Sequence, residues 1–191
     1  FVSASAAFIS ADKGLAARRP AGVSFPQGRP VFAVDRTPDW GYATVTANVK
    51  VGDVTHTEVV ASVVNPTMER LLDVCVRLAR HSPASYVMDG YGLRDLGVEL
   101  RKRGLEVRIA TQADVINASS LLYAKVVRRQ LQHGGDEVLS VQMPRTVRKN
   151  VGDAFRISKK DSSVEIDAVM ATALGVYGAE VTSDTPTVQI F

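Results

Sequence analysis

The sequence predicts an α/β domain built on a mixed sheet, an antiparallel three-strand meander joined to parallel strands and flanked by helices. Three observations carry that expectation. Residues 41–51 alternate with a period of two and are followed by Gly52-Asp53 and a second strand-like run, which marks a hairpin. Apolar runs at 31–35, 85–89 and 105–110 are separated by helix-length segments, the order that parallel crossovers require. Three aspartates, Asp35, Asp89 and Asp167, each stand where an apolar element would otherwise exclude a charge, a placement that costs free energy unless something offsets it.

With 191 residues the chain suffices for one domain with a sizeable core. Its 46% hydrophobic and 23% charged content is that of a soluble globular protein, and no apolar stretch approaches the roughly 20 residues of a membrane span. The single cysteine, Cys75, excludes an internal disulfide and a cysteine-built zinc site, and its place on an apolar helix face makes it a packed core residue. The net charge of +3 is unevenly spread: residues 121–160 hold nine basic side chains, Lys125, Arg128, Arg129, Arg145, Arg148, Lys149, Arg156, Lys159 and Lys160, against three acidic ones. That block is a candidate polyanion footprint, although solvated helix faces produce the same pattern.

Residues 1–30 read as a lead-in or interdomain linker, rich in Ala, Pro and Gly and without sustained periodicity. There is no charged segment followed by an apolar core, so no signal peptide is expected; a piece of a longer chain is the simplest reading. A buried strand at 31–35 opens the meander, and residues 54–64 form its last strand. Asn65-Pro66 then predicts a helix start, Asn as N-cap and Pro at the first helical position, with Met68, Leu71, Leu72, Cys75, Val76 and Ala79 as its buried stripe. Strand 85–89, a helix near 93–103 stopped by Gly104, strand 105–110 and a helix over 112–130 follow. Residues 136–150 read as a further helix with Pro144 as a kink or break, and 155–158 as a short strand. The last helix is expected from Ser162, with Ser162-x-x-Glu165 as a capping box and Asp167 at the margin of its apolar face. A loose tail covers 180–191.

In order, Phe32-Ala-Val-Asp35, Tyr86-Val-Met-Asp89, Leu100-Arg-Lys-Arg-Gly104, Gln132-His-Gly134, Phe155-Arg-Ile-Ser-Lys159 and Ile166-Asp-Ala-Val-Met-Ala171 resemble the nuclease domain of tailed-phage large terminase subunits. The resemblance covers residues 31–179 and implies a ribonuclease H-like fold. It further implies a metal-dependent endonuclease that cuts concatemeric phage DNA during genome packaging, in the host bacterial cytoplasm at the procapsid portal. Asp35, Asp89 and Asp167 match the family's metal-binding acids, with Asp35 bridging two Mg2+ or Mn2+ ions; carboxylate oxygens are hard ligands suited to such ions. One ion would activate water and the other stabilise the leaving oxygen. Lys159, Lys160, Arg145, Arg148 and Arg156 would hold the phosphates of double-stranded DNA. The implied partners are the portal protein, the small terminase subunit and an N-terminal ATPase domain; the chain carries no Gly-x-x-x-x-Gly-Lys-Ser/Thr sequence of its own.

Relatives with a histidine or another acid beside the last aspartate differ from this chain, where Glu165 stands two residues before Asp167 and is read as a capping residue. Asp39 is read as a turn residue within Thr37-Pro-Asp-Trp40. His56, His81 and His133 lack ligand spacing, and His133 reads as a loop residue. Trp40 and Tyr91, each close to an aspartate, either touch DNA or pack over the site. Two alternatives use the same residues: a docking module that keeps the fold without cutting, and a resolvase or transposase-type enzyme of the same fold.

Overall fold

A six-stranded mixed sheet forms the middle layer of the computed structural model, which describes residues 7–162 and 165–183. After a short helix α1 (Ala11–Ala16) come strands β1 (Val31–Arg36), β2 (Tyr42–Val51) and β3 (Val54–Val64), the expected meander. Helix α2 (Met68–Leu78), strand β4 (Ser85–Asp89), helix α3 (Gly90–Lys102), strand β5 (Val107–Ala110) and helix α4 (Gln112–Val127) complete the crossovers. Strand β6 (Leu131–His133), helix α5 (Glu137–Gln142), the hairpin β7 (Val147–Val151) and β8 (Ala154–Ser158), and helix α6 (Asp167–Ser183) follow. The strand order is β5-β4-β1-β2-β3-β6, with β1 antiparallel to β2 and parallel to β4.

Both sheet faces are covered, which is why β1 and β4 read as nearly continuous apolar runs. Phe32, Val34, Tyr86 and Met88 pack with Leu71, Cys75, Leu93 and Leu96 of α2 and α3. The alternate residues Val31, Ala33 and Val87 pack with Leu122 of α4 and Val169 and Leu174 of α6. The polar face of β2 is buried too: Thr44, Thr46 and Asn48 face α6, where Thr46 Oγ1 donates to the Ala171 carbonyl (3.2 Å) and Asn48 Nδ2 donates to the Val31 carbonyl (3.1 Å). Small residues let α6 lie this close. A Cβ on Gly178 would stand 2.6 Å from Val87 Cγ2 and 2.9 Å from Val31 Cγ1.

Several expectations need correction. Phe8, Ile9 and Ala17 are buried and Arg19 N donates to the His133 carbonyl, so part of the lead-in packs against the rest of the chain, and it includes α1. The N-cap of α2 is Thr67, whose hydroxyl accepts from Arg70 N, rather than Asn65, and Val76 is exposed. Helix α3 starts three residues earlier than expected because Asp89 itself caps it. His133 is no loop residue: it is buried in β6, its Nε2 2.8 Å from the Gly14 carbonyl oxygen. The expected helix 136–150 ends at Gln142; Pro144 sits in a single 3-10 turn, and β7 follows. Helix α6 begins at Asp167, not Ser162, and among the described residues the Ser162 hydroxyl serves another purpose than the expected capping box: its Oγ accepts from Val147 N and donates to the Ser158 carbonyl. Residues 180–183 continue α6, and the remainder of the expected tail lies outside the described residues.

Candidate active site

The parallel register Val34↔Met88 sets Asp35 and Asp89 side by side where β1 and β4 end. Both fall on the sheet face that α6 covers, and α6 starts at that end with Asp167 as its first residue. Thr44, the partner of Asp35 across the β1–β2 ladder, donates its hydroxyl to Asp167 Oδ2 at 2.6 Å. Asp89 caps α3, accepting from Tyr91 N at 3.1 Å. Two of the three carboxylates thus sit at helix N-termini, where the helix dipole favours negative charge.

Asp35 is buried, 1% exposed. Burial pushes its carboxyl up to about 7, the Lys159 ammonium pulls it back, and the nearby charges of Asp89 and Asp167 add to the rise. Its Oδ1 accepts from Lys159 Nζ at 2.7 Å, and its buried Oδ2 has no hydrogen-bond partner among the described residues. Asp167 is also buried, and its second oxygen accepts from Gln142 Nε2 at 3.0 Å. The same Gln142 accepts through Oε1 from Ala168 N (2.8 Å) and Val169 N (3.4 Å), capping α6 from another element. A cleft of about 380 Å3 opens beside the acids, lined by Arg36, Thr37, Asp39, Lys159, Glu165 and Asp167.

The other site residues divide. Lys160, Arg145 and Arg148 are exposed and Arg156 is half-buried; Arg156 pairs across the β7–β8 hairpin with Lys149, and Arg148 lies over the Phe155 ring. Lys159 is held by Asp35 rather than free for a phosphate. The basic block is also not continuous in space. Lys125 is buried against Glu180, while Arg128 and Arg129 stand at the end of the sheet marked by the Gly52 turn, opposite the acids. Asp39 accepts from Thr37 Oγ1 and Gly41 N as a turn residue should. Glu165 is exposed at the cleft. Trp40 packs under the Arg36 guanidinium, 3.9 Å from its ring centre, whereas Tyr91 is 96% exposed. Burial raises the Cys75 thiol to about 12, in keeping with a packed core residue. Sequence reasoning missed Gln142 and Thr44; only the polar alternation of β2 hinted at Thr44.

The donor chemistry fits a hard divalent cation: three carboxylates, two of them buried, with an unpartnered Asp35 oxygen among them. Among the described residues the side chains are nevertheless not gathered into a ligand cluster. Lys159, Thr44 and Gln142 hold three of the oxygens, so a cation reaching Asp35 would meet the Lys159 ammonium at Oδ1 and an open Oδ2.

No protein-family model and no curated protein matches the chain. Among solved structures, the large terminase of bacteriophage HK97 superposes with a TM-score of 0.72 at 15% identity, over 91% of this chain and 43% of that one. The large terminase nuclease of thermophilic phage G20c superposes with a TM-score of 0.67 at 12% identity, over 89% of this chain and 97% of that one. The fold is that of a large terminase nuclease domain. The G20c nuclease with bound magnesium gives a TM-score of 0.62 at 13% identity, over 88% of this chain and 96% of that one. The chain therefore spans less than half of the HK97 terminase but nearly the whole of the G20c terminase nuclease.

Proposed function

We propose that this chain is a metal-dependent endodeoxyribonuclease, the DNA-cutting part of a phage packaging terminase, with Asp35, Asp89 and Asp167 as its Mg2+ or Mn2+ ligands. The observation that carries the reading is Asp35: a buried carboxylate with an oxygen unpartnered among the described residues, crowded by two further acids. Burying one acid beside two others costs free energy that a purely structural role does not require, and a bound dication would offset it. The fold shared with a magnesium-bound terminase nuclease supports the same assignment. Bound cations would supply an activated water and stabilise charge on the phosphate. The chain's own residues hold the acids in place. Thr44 and Gln142 fix both oxygens of Asp167, and the α3 N-terminus orients Asp89. Lys160, Arg145, Arg148 and Arg156 form the phosphate track, which positions DNA without reading sequence. In the packaging motor an ATPase domain, the portal and the small subunit would join it.

Cleavage of supercoiled plasmid in EDTA, Mg2+ or Mn2+, run beside Asp89→Ala, tests the reading. Cutting that needs metal and vanishes in the variant supports it. An intact plasmid in both metals, with no metal binding that Asp89→Ala abolishes, favours a docking module instead. Gln142→Leu removes the brace on Asp167 and leaves the β1–β4 acids untouched, so metal-dependent cleavage should fall by about 10–100-fold while DNA retention on a filter stays unchanged.

A further inference from the structure

We propose that Lys159 is the resident counter-ion of the acid cluster: it occupies Asp35 in the metal-free domain, yields it when a divalent cation loads, and then faces the DNA phosphate. This rests on the metal-site reading above.

Lys159 Nζ lies 2.7 Å from Asp35 Oδ1 and 3.1 Å from the Arg36 carbonyl oxygen, so a positive charge already stands on the carboxylate that a metal would share. Its backbone is pinned. Ser158 Oγ donates to Asp161 Oδ2 at 2.6 Å, and Ser162 Oγ donates to the Ser158 carbonyl at 2.7 Å and accepts from Val147 N, closing a turn at the foot of the β7–β8 hairpin. Release from Asp35 is therefore a side-chain rotation and needs no loop movement. The room exists, because the Lys159 side chain is 24% exposed and lines the 380 Å3 cleft. A lysine suits this exchange: its ammonium is a compact point charge on a flexible stem, whereas a guanidinium would bind the carboxylate through two bonds and hold it. Two opposed needs are met by one residue. Without metal, Asp35 retains a partner for one oxygen; with metal, the displaced ammonium sits at the mouth of the site, where a phosphate would arrive.

Calorimetric titration of the DNA-free domain with Mn2+ at pH 8 tests this, comparing the unmodified chain, Lys159→Met, Lys159→Gln and Asp35→Asn, each confirmed folded by circular dichroism. Removing the competing cation should tighten Mn2+ binding about tenfold in both Lys159 variants. The same variants should bind a short duplex more weakly in Ca2+. A gain in metal affinity is the decisive readout, since a merely structural lysine would lower it on removal. If Asp35→Asn loses Mn2+ binding while both Lys159 variants bind no tighter than the unmodified chain, the counter-ion role is overturned and the metal site stands. If the unmodified chain binds no Mn2+, or Asp35→Asn binds as well as it does, the metal-site reading falls and takes this inference with it.

Discussion

Asp35→Asn is expected to abolish cleavage and at the same time stabilise the metal-free domain at alkaline pH. On the proposed metal-site reading, loss of the ligand that both ions would share removes several kcal/mol of transition-state stabilisation, a fall on the order of 10^3-fold in rate. The stability gain follows from burial. In the folded chain Asp35 keeps its proton up to about pH 7, whereas unfolding restores the ordinary value of 3.8. The folded state therefore binds the extra proton between these values, and the stability this contributes is complete below about pH 4 and lost as pH rises through about 7. Asparagine can still accept from Lys159 and carries no charge to bury. Its melting temperature should exceed that of the unmodified chain by ~5 °C at pH 8, about 2 kcal/mol, and match it at pH 4. Added Mg2+ should close the gap at pH 8 by stabilising only the unmodified chain. A variant less stable than the parent across this range would remove the electrostatic argument for the site.

Glu180→Ala is expected to be the most damaging substitution away from the acids. Lys125 on α4 is 4% exposed, and its Nζ reaches Glu180 Oε2 at 3.0 Å and the Asp53 carbonyl oxygen at 3.0 Å. Lys50 Nζ approaches Glu180 Oε1 at 2.9 Å, so a single carboxylate ties α6 to α4 and to β2. Burial alone would raise the Glu180 carboxyl, but hydrogen bonds from Lys50 and Lys125 outweigh it and hold the carboxyl below its usual range. That contribution is present above the ordinary value of 4.5 and is lost as pH falls below it. Removing the carboxylate strands a buried ammonium, at a cost of about 3 kcal/mol, or ~10 °C in melting temperature. Adding Lys125→Met should recover part of the loss, because an apolar side chain of similar length needs no counter-charge. Equal melting curves for Glu180→Ala and the unmodified chain would show that the network carries no stability.

Local signals were legible wherever they were self-contained. Gly52-Asp53 announced the β2–β3 hairpin; the same dipeptide in Val151-Gly152-Asp153-Ala154 turns β7 into β8, which the structure revealed. Gly152 takes the positive φ of 60° that such a turn requires. Reading 136–150 as one helix overlooked it, because Pro144 suggested a kink where the chain changes from helix to strand. Strand β6 escaped notice because its three residues are held by β3 and by Arg18 and Arg19 of the leading segment, partners that no window around it contains.

For the site the division follows the same logic. Asp35 and Asp89 stand out in sequence because each ends an apolar strand, and parallel register then brings adjacent strand ends together without further information. What the sequence by itself determined is the β1–β3 meander, the crossovers through β4 and β5 and the acids at the strand ends, since period, turn residues and charge within an apolar run are local properties. Only the tertiary structure decided that the polar face of β2 is buried, that Gln142 caps α6 and braces Asp167, and that Lys159 belongs to Asp35 rather than to a free basic track. The Gln142–Asp167 and Lys159–Asp35 contacts join residues 25 and 124 positions apart, and their partners are set by how α6 and the hairpin pack, which no local pattern encodes.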